Sequence, residues 1–271
     1  MCVMSKRRLK LSKISALHYF KLFFRSFLFI AATLLYIINK TNSSDEAFGG
    51  YENDPFILSF IWIVFVIEMI LRFFPSKFES MGCQKQFKKN FIQTESDTPR
   101  NQPFRITLLV AAVWILLNGI VGALYFFKII DGGILLLISL AYSVCDMICI
   151  LFFCPFQTWF MKNKCCGSCR IYNWDYIMMF TPLVFLKNIY AQSLFAIAFA
   201  LFVCWELSFY IHPKRFSEET NACLSCANCK EKLCHHKKQL RGFLKKNKHL
   251  FTLSGNRTIG KILHRNDKKK K

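Results

Sequence analysis

Apolar stretches of roughly 17 to 22 residues recur along this chain, and its charges are crowded into the segments between them. Backbone N–H and C=O groups find no partner in hydrocarbon, so such stretches persist in a membrane only as helices or closed barrels. About 20 helical residues cross a core of about 30 Å. Of the 271 residues 54% are hydrophobic, yet 20% are charged, a balance that fits long apolar spans separated by strongly polar connections. The pattern predicts an all-α polytopic membrane helix bundle with six spans near 18–38, 56–74, 106–127, 134–153, 171–188 and 190–211. A basic arm (1–17) precedes the bundle (18–211), and a Cys-rich basic tail (212–271) follows it.

Two spans are irregular. The uncharged part of the first, residues 27–38, is too short to cross, so that helix is expected to extend down through Lys21 and Arg25, whose long stems can snorkel. Lys6, Arg7 and Arg8 before an apolar stretch also suit a signal peptide. No small-residue cleavage site follows, and a retained helix is the reading. The fifth span contains Pro182, which leaves five spans plus a re-entrant segment as the alternative.

Orientation follows from the loops. With six spans, one face carries three basic and five acidic residues, while the remaining 34 basic residues oppose eight acids at the other face and its helix ends. Lys and Arg collect on the cytosolic side, so both termini and the 154–174 loop are expected there, with the protein in the cytoplasmic membrane. None of the 13 cysteines falls in the outer segments, as expected for thiols kept reduced in the cytosol and not paired as disulfides.

Four of those cysteines form Cys223-x2-Cys226-x2-Cys229-x4-Cys234, just past the last span. Thiolates two to four residues apart suit tetrahedral zinc. The first three also match the spacing of bacterial ferredoxins, whose fourth cysteine comes one residue earlier and precedes proline; here His235 and His236 follow Cys234. A zinc ion or an iron–sulfur cluster is therefore the expected cofactor, with free thiols in a tail as the competing reading. Cys165, Cys166 and Cys169, flanked by Lys162, Lys164 and Arg170, form a second group whose neighbouring cations favour thiolate. Cys145, Cys149 and Cys204 lie inside spans, where a thiol ordinarily packs as a small hydrophobe.

Arg25, Glu68, Asp146 and Glu206 fall within the spans, in the cytosolic half of each. Charges there face a bundle interior or a wet cavity, so they mark either a polar cavity or interhelical ion pairs. Glu68 and Arg72 are spaced to neutralise one another along one helix, and His18, Lys21 and Arg25 share a face. Asp146 has no cation three or four residues away. It must be protonated, hydrated, or paired with Arg25 or a cation of another helix.

From Lys230 onward the tail has 15 basic residues against two acids, and Leu240, Phe243, Leu244 and Phe251 mark one side of a helical projection. Such a segment suits an anionic lipid leaflet; a solvated charge run is the competing reading, and nucleic acid is disfavoured because no recognition module is visible.

The runs 68–87 (EMILRFFPSKFESMGCQKQF), 141–183 and 212–238 resemble a family of small cysteine-rich multispanning membrane proteins from anaerobic bacteria, one with no assigned activity. The resemblance implies bacterial membrane placement. Three function classes remain open: electron transfer or metal sensing at a cytosolic thiolate site, with a soluble redox or protein partner; transport of an ion or solute along the intramembrane carboxylates; and a scaffold that recruits a partner through a zinc-stabilised tail. No Walker loop, H-E-x-x-H pair or G-x-S-x-G elbow occurs, so no common catalytic motif argues for an enzyme.

Overall fold

The computed structural model describes residues 13–42, 55–75, 81–100, 103–161 and 168–225. The described chain is helical, with no strands beyond an isolated bridge between Gln93 and Asn221. Its α-helices are α1 (Lys13–Asn42), α2 (Pro55–Phe73), α3 (Met81–Gln86), α4 (Phe104–Phe126), α5 (Gly132–Leu151), α6 (Asp175–Phe180) and α7 (Ile189–Ile211). Among the described residues four helical stretches are long and apolar enough to cross a membrane: Ala16–Thr41, Phe104–Phe126, Gly132–Leu151 and Ile189–Ile211. The apolar 19-residue α2 stands beside them.

α1 packs on α5, and α2 on α7. Facing residues such as Phe65, Met69, Leu135, Ala198 and Leu201 are buried, while Leu108, Leu109, Ile115, Leu116 and Ile120 of α4 remain exposed. Large exposed aliphatics around a helix are costly in water and ordinary against lipid. At one end, residue pairs just before the helix starts set the caps. The Asp131 carboxylate accepts from the Ile134 N–H at 3.1 Å and begins α5; Asn188 accepts from the Tyr190 N–H at 2.9 Å and begins α7.

The fifth predicted span is not a continuous α-helix. A 3₁₀ segment (Arg170–Trp174), the short α6 and a second 3₁₀ segment (Thr181–Phe185) follow one another, with Pro182 in the first turn of the last. This broken rod runs beside α4. Ile171 and Trp174 share a buried cluster with Val110, Thr181 accepts from Trp114 Nε1 at 3.3 Å, and Phe185 lies where a Cβ on Gly122 would be. From Val110 to Gly122 that is about 18 Å of α4 at 1.5 Å per residue. Irregular backbone is tolerated at membrane depth when protein surrounds it, and Tyr176, Met179, Phe180 and Leu183 are almost fully buried.

At the opposite end the chain forms a clasp. The stretch 91–100 is held against 213–224: Thr94 N–H donates to Thr220 O (3.2 Å), Ala222 N–H to Ile92 O (2.8 Å) and Arg100 N–H to Ser217 Oγ (3.1 Å). Asn221, fully buried, donates to Lys85 O (3.0 Å) and Arg215 O (2.8 Å) while its side-chain oxygen accepts from the Cys223 N–H (3.1 Å). The described stretch 81–100 between α2 and α4 is thus partly helical, partly extended, and fastened to 213–224.

Candidate functional site: a charged layer and a thiol-lined cavity

Glu68, Asp146 and Glu206 each sit five residues before the last residue of their helix, α2, α5 and α7. At 1.5 Å per residue this is about 7.5 Å inside the clasp end. Spacing on separate helices therefore brings three carboxylates to one depth, and each meets an arginine there. Arg25, only 4% exposed, crosses from α1: Nη1 donates to Asp146 Oδ2 (3.2 Å) and to Ser143 O (3.1 Å), and Nη2 to Glu68 Oε2 (2.5 Å). Lys21 Nζ lies 3.4 Å from Glu68 Oε1, and Tyr176 Oη donates to Glu68 Oε2 at 3.1 Å. Arg72 grips both oxygens of Asp175 and stacks over Tyr176, its guanidinium 4.9 Å from the ring centre. Three cations (Lys21, Arg25, Arg72) thus face three anions (Glu68, Asp146, Asp175), a neutral set that keeps uncompensated charge out of the apolar interior.

Arg25 therefore does not snorkel. Its head group is buried between helices, where two carboxylates and the Ser143 carbonyl hold it. Arg72, four residues after Glu68, reaches across to Asp175 instead of serving only its own helix. Glu206 forms a separate site, held by Arg170 and by Trp174 Nε1 at 2.7 Å, with Arg170 stacked 4.3 Å from the Phe209 ring centre.

Beside the charged layer lies a cavity of about 260 Å³. Cys145, Cys149, Cys154 and Cys169 all line it, with Asp146, Asp175, Met178, Met179 and an aromatic wall that includes Trp114, Tyr142 and Phe156. The turn after α5 creates the grouping. Phe152 and Phe153 both donate backbone N–H groups to Ile148 O, which folds the chain back and puts Cys154 on the same cavity as Cys149. The Gln157 N–H donates to Cys154 Sγ at 3.4 Å. The membrane cysteines are thus not only packing residues: Cys145 and Cys149 face a void, and Cys204 is exposed on α7.

Of the two predicted thiolate clusters, one member each lies within the described residues. Cys169 is buried at the cavity, four residues before Asn173, whose side chain bonds Gln86 at 2.8 Å and accepts from Cys83 Sγ at 3.2 Å. Cys223 is held by the clasp and its thiol donates to Asn90 O at 2.9 Å. Cys165, Cys166, Cys226, Cys229 and Cys234 lie outside the described residues, as does the basic amphipathic tail. Among the described residues, no group of three or more His, Cys, Asp or Glu side chains is arranged to hold a metal, and no disulfide joins the described cysteines. At the clasp surface, the hydrogen bond from Lys214 and its charge hold the Asp97 carboxyl below the ordinary aspartate range.

A bundle of apolar helices with a neutral buried ion-pair layer and polar clasps at its ends is the architecture of a multi-pass membrane protein. Comparison with family models, curated proteins and solved structures returned no match to this chain.

Proposed function

We propose that this protein crosses the bacterial cytoplasmic membrane six times with both termini in the cytosol, and carries a thiolate-bound zinc ion or iron–sulfur cluster at the cytosolic face for electron transfer or metal sensing. The observation that supports the reading is that the described member of each thiolate cluster, Cys169 and Cys223, belongs to a segment tied to the same short helix. Cys169 opens a segment tied to α3 through Asn173 and Gln86, and Cys223 follows Asn221, which bonds the α3 backbone at Lys85. A metal site needs its ligands brought together before binding, and rigid attachment lowers the ordering cost. The broken segment beside α4 supports the sixth crossing, since it follows α4 for much of a span.

Protein purified without oxygen tests the reading by metal and sulfide analysis. One zinc, or iron with inorganic sulfide, is expected per site, and Cys223→Ser, Cys226→Ser, Cys229→Ser and Cys234→Ser should each lower occupancy to a similar extent. Metal-free protein from an anaerobic preparation overturns it. The transport reading draws less support, because Glu68, Asp146 and Glu206 each hold an arginine and none is left as an open ion ligand.

A further inference from the structure

The thiol-lined cavity has a shape that metal binding does not call for. Trp114 is the eleventh residue of α4 and Tyr142 the eleventh of α5, so the cavity reaches the middle of both helices, while Cys154 and Cys169 mark its other end beyond the helix terminus. Eleven residues are about 16 Å, half of a hydrocarbon core. A void that runs from mid-bilayer to the interface and is walled by rings suits a lipid-soluble ligand with a flat polar head. Cavities of about 150 Å³ accept a benzene ring, so about 260 Å³ leaves room for one ring with its oxygens and small substituents.

We propose that this cavity binds a membrane quinone and that Cys149 and Cys154 are its dithiol electron donor. Both thiols line the cavity from either side of the turn that ends α5, and the Gln157 N–H on Cys154 Sγ favours a thiolate there. In the reaction two S–H bonds break and one S–S bond forms. The two electrons and two protons pass to the two carbonyl oxygens of the quinone, which leaves as the quinol. Asp146 and Asp175 line the same cavity and lie within reach of a proton in transit. This deepens the electron-transfer reading above and draws on no bound metal.

The full-length protein, reduced anaerobically in lipid nanodiscs and freed of reductant, is mixed with decylubiquinone, whose fully substituted ring cannot be alkylated by thiols. Peptide mapping after alkylation should find a Cys149–Cys154 bridge, with one quinol formed per bridge by ultraviolet absorbance. Cys149→Ala and Cys154→Ala should each abolish quinol formation; Cys204→Ala, remote from the cavity, should not. Met178→Trp, which fills the cavity, should slow quinol formation by about tenfold, equivalent to about 1.4 kcal/mol of binding. The small water-soluble oxidant diamide should still bridge that variant, which shows that its thiols remain paired. Failure to form the bridge with quinone, or an unchanged rate in Met178→Trp, overturns the proposal. The variant with all four tail cysteines changed to Ser separates the two readings. Metal without quinol formation sinks only this inference; quinol formation by metal-free protein sinks only the metal site.

Discussion

Replacing Arg25 by Leu removes a cation that joins three helices. Its guanidinium makes one hydrogen bond to Glu68, one to Asp146 and one to the Ser143 carbonyl, and it is 4% exposed. Glu68 keeps Lys21 at 3.4 Å and the Tyr176 hydroxyl, so its loss is partial. Asp146, 17% exposed on its side chain, loses the charge 3.2 Å away, and the layer goes from neutral to one net negative charge. Breaking a buried pair by removing one partner costs about 3–5 kcal/mol, most of it the penalty on the charge left behind. Arg25→Leu should therefore destabilise the bundle by about that amount. Asp146→Asn in the same chain restores neutrality and should recover about 1–3 kcal/mol, a coupling that a double-mutant cycle reads directly. Reversible unfolding in mixed micelles with increasing sodium dodecyl sulfate, followed by tryptophan fluorescence, measures both. If Arg25→Leu changes stability by less than about 0.5 kcal/mol, or the two changes simply add, the ion pair does not hold these helices together.

Three further outcomes are expected. Asn221→Ala leaves the Lys85 and Arg215 carbonyls and the Cys223 N–H without their partner; the clasp should weaken by about 1–3 kcal/mol and proteolytic cleavage within 91–100 should accelerate. Gly122→Ala drives a methyl into the Phe185 ring, and overpacking of about 1–3 kcal/mol should appear as a lower unfolding midpoint, with Phe185→Leu in the same chain relieving it. The Asp97 carboxyl is lowered by Lys214, so its contribution to the clasp is present above the ordinary aspartate pKa and lost as pH falls through the lowered folded value. Hydrogen exchange in 91–100 should rise only in that acidic window, Asp97→Asn should remove the pH step, and global stability should not move, because the pair is exposed.

The long helices were legible because lipid contact writes a local signal: each residue facing hydrocarbon must be apolar, so length and composition alone locate α1, α2, α4, α5 and α7 within a few residues. The segment 170–185 was not legible as a broken rod. Its burial comes from α5 and α7, with α4 along one side, and not from its own periodicity, and only Pro182 hinted at a break. Asp146 announced that it needed a partner, because a lone carboxylate at that depth cannot stand alone, and Arg25 was among the possible ones. Asp175 gave no such notice, since it sits at a span edge where an acid can face water. The clasp was invisible for a different reason. Its bonds run mostly through the backbone on at least one side, such as Thr94 N–H to Thr220 O and Asn221 to Lys85 O, and these leave no pattern in residue type. Cys149 and Cys154 meet only because the chain turns after Leu151; the crowding of cysteines toward one end was the sole sequence cue.

The partners of Arg25 also set a timetable for biosynthesis. Glu68 lies 43 residues downstream and Asp146 lies 121 residues downstream. At about 5–20 residues per second, the ribosome takes roughly 6–24 s to deliver the second carboxylate after Arg25 has been made. Until then Lys21 and Arg25 have Glu68 but not Asp146 to pair with, so this stretch of α1 holds one cation in excess, which favours a position nearer the headgroup region and anionic lipid. α1 gains its full set of partners only when α5 arrives beside it, so a helix translated before α2, α4 and α5 is completed after them.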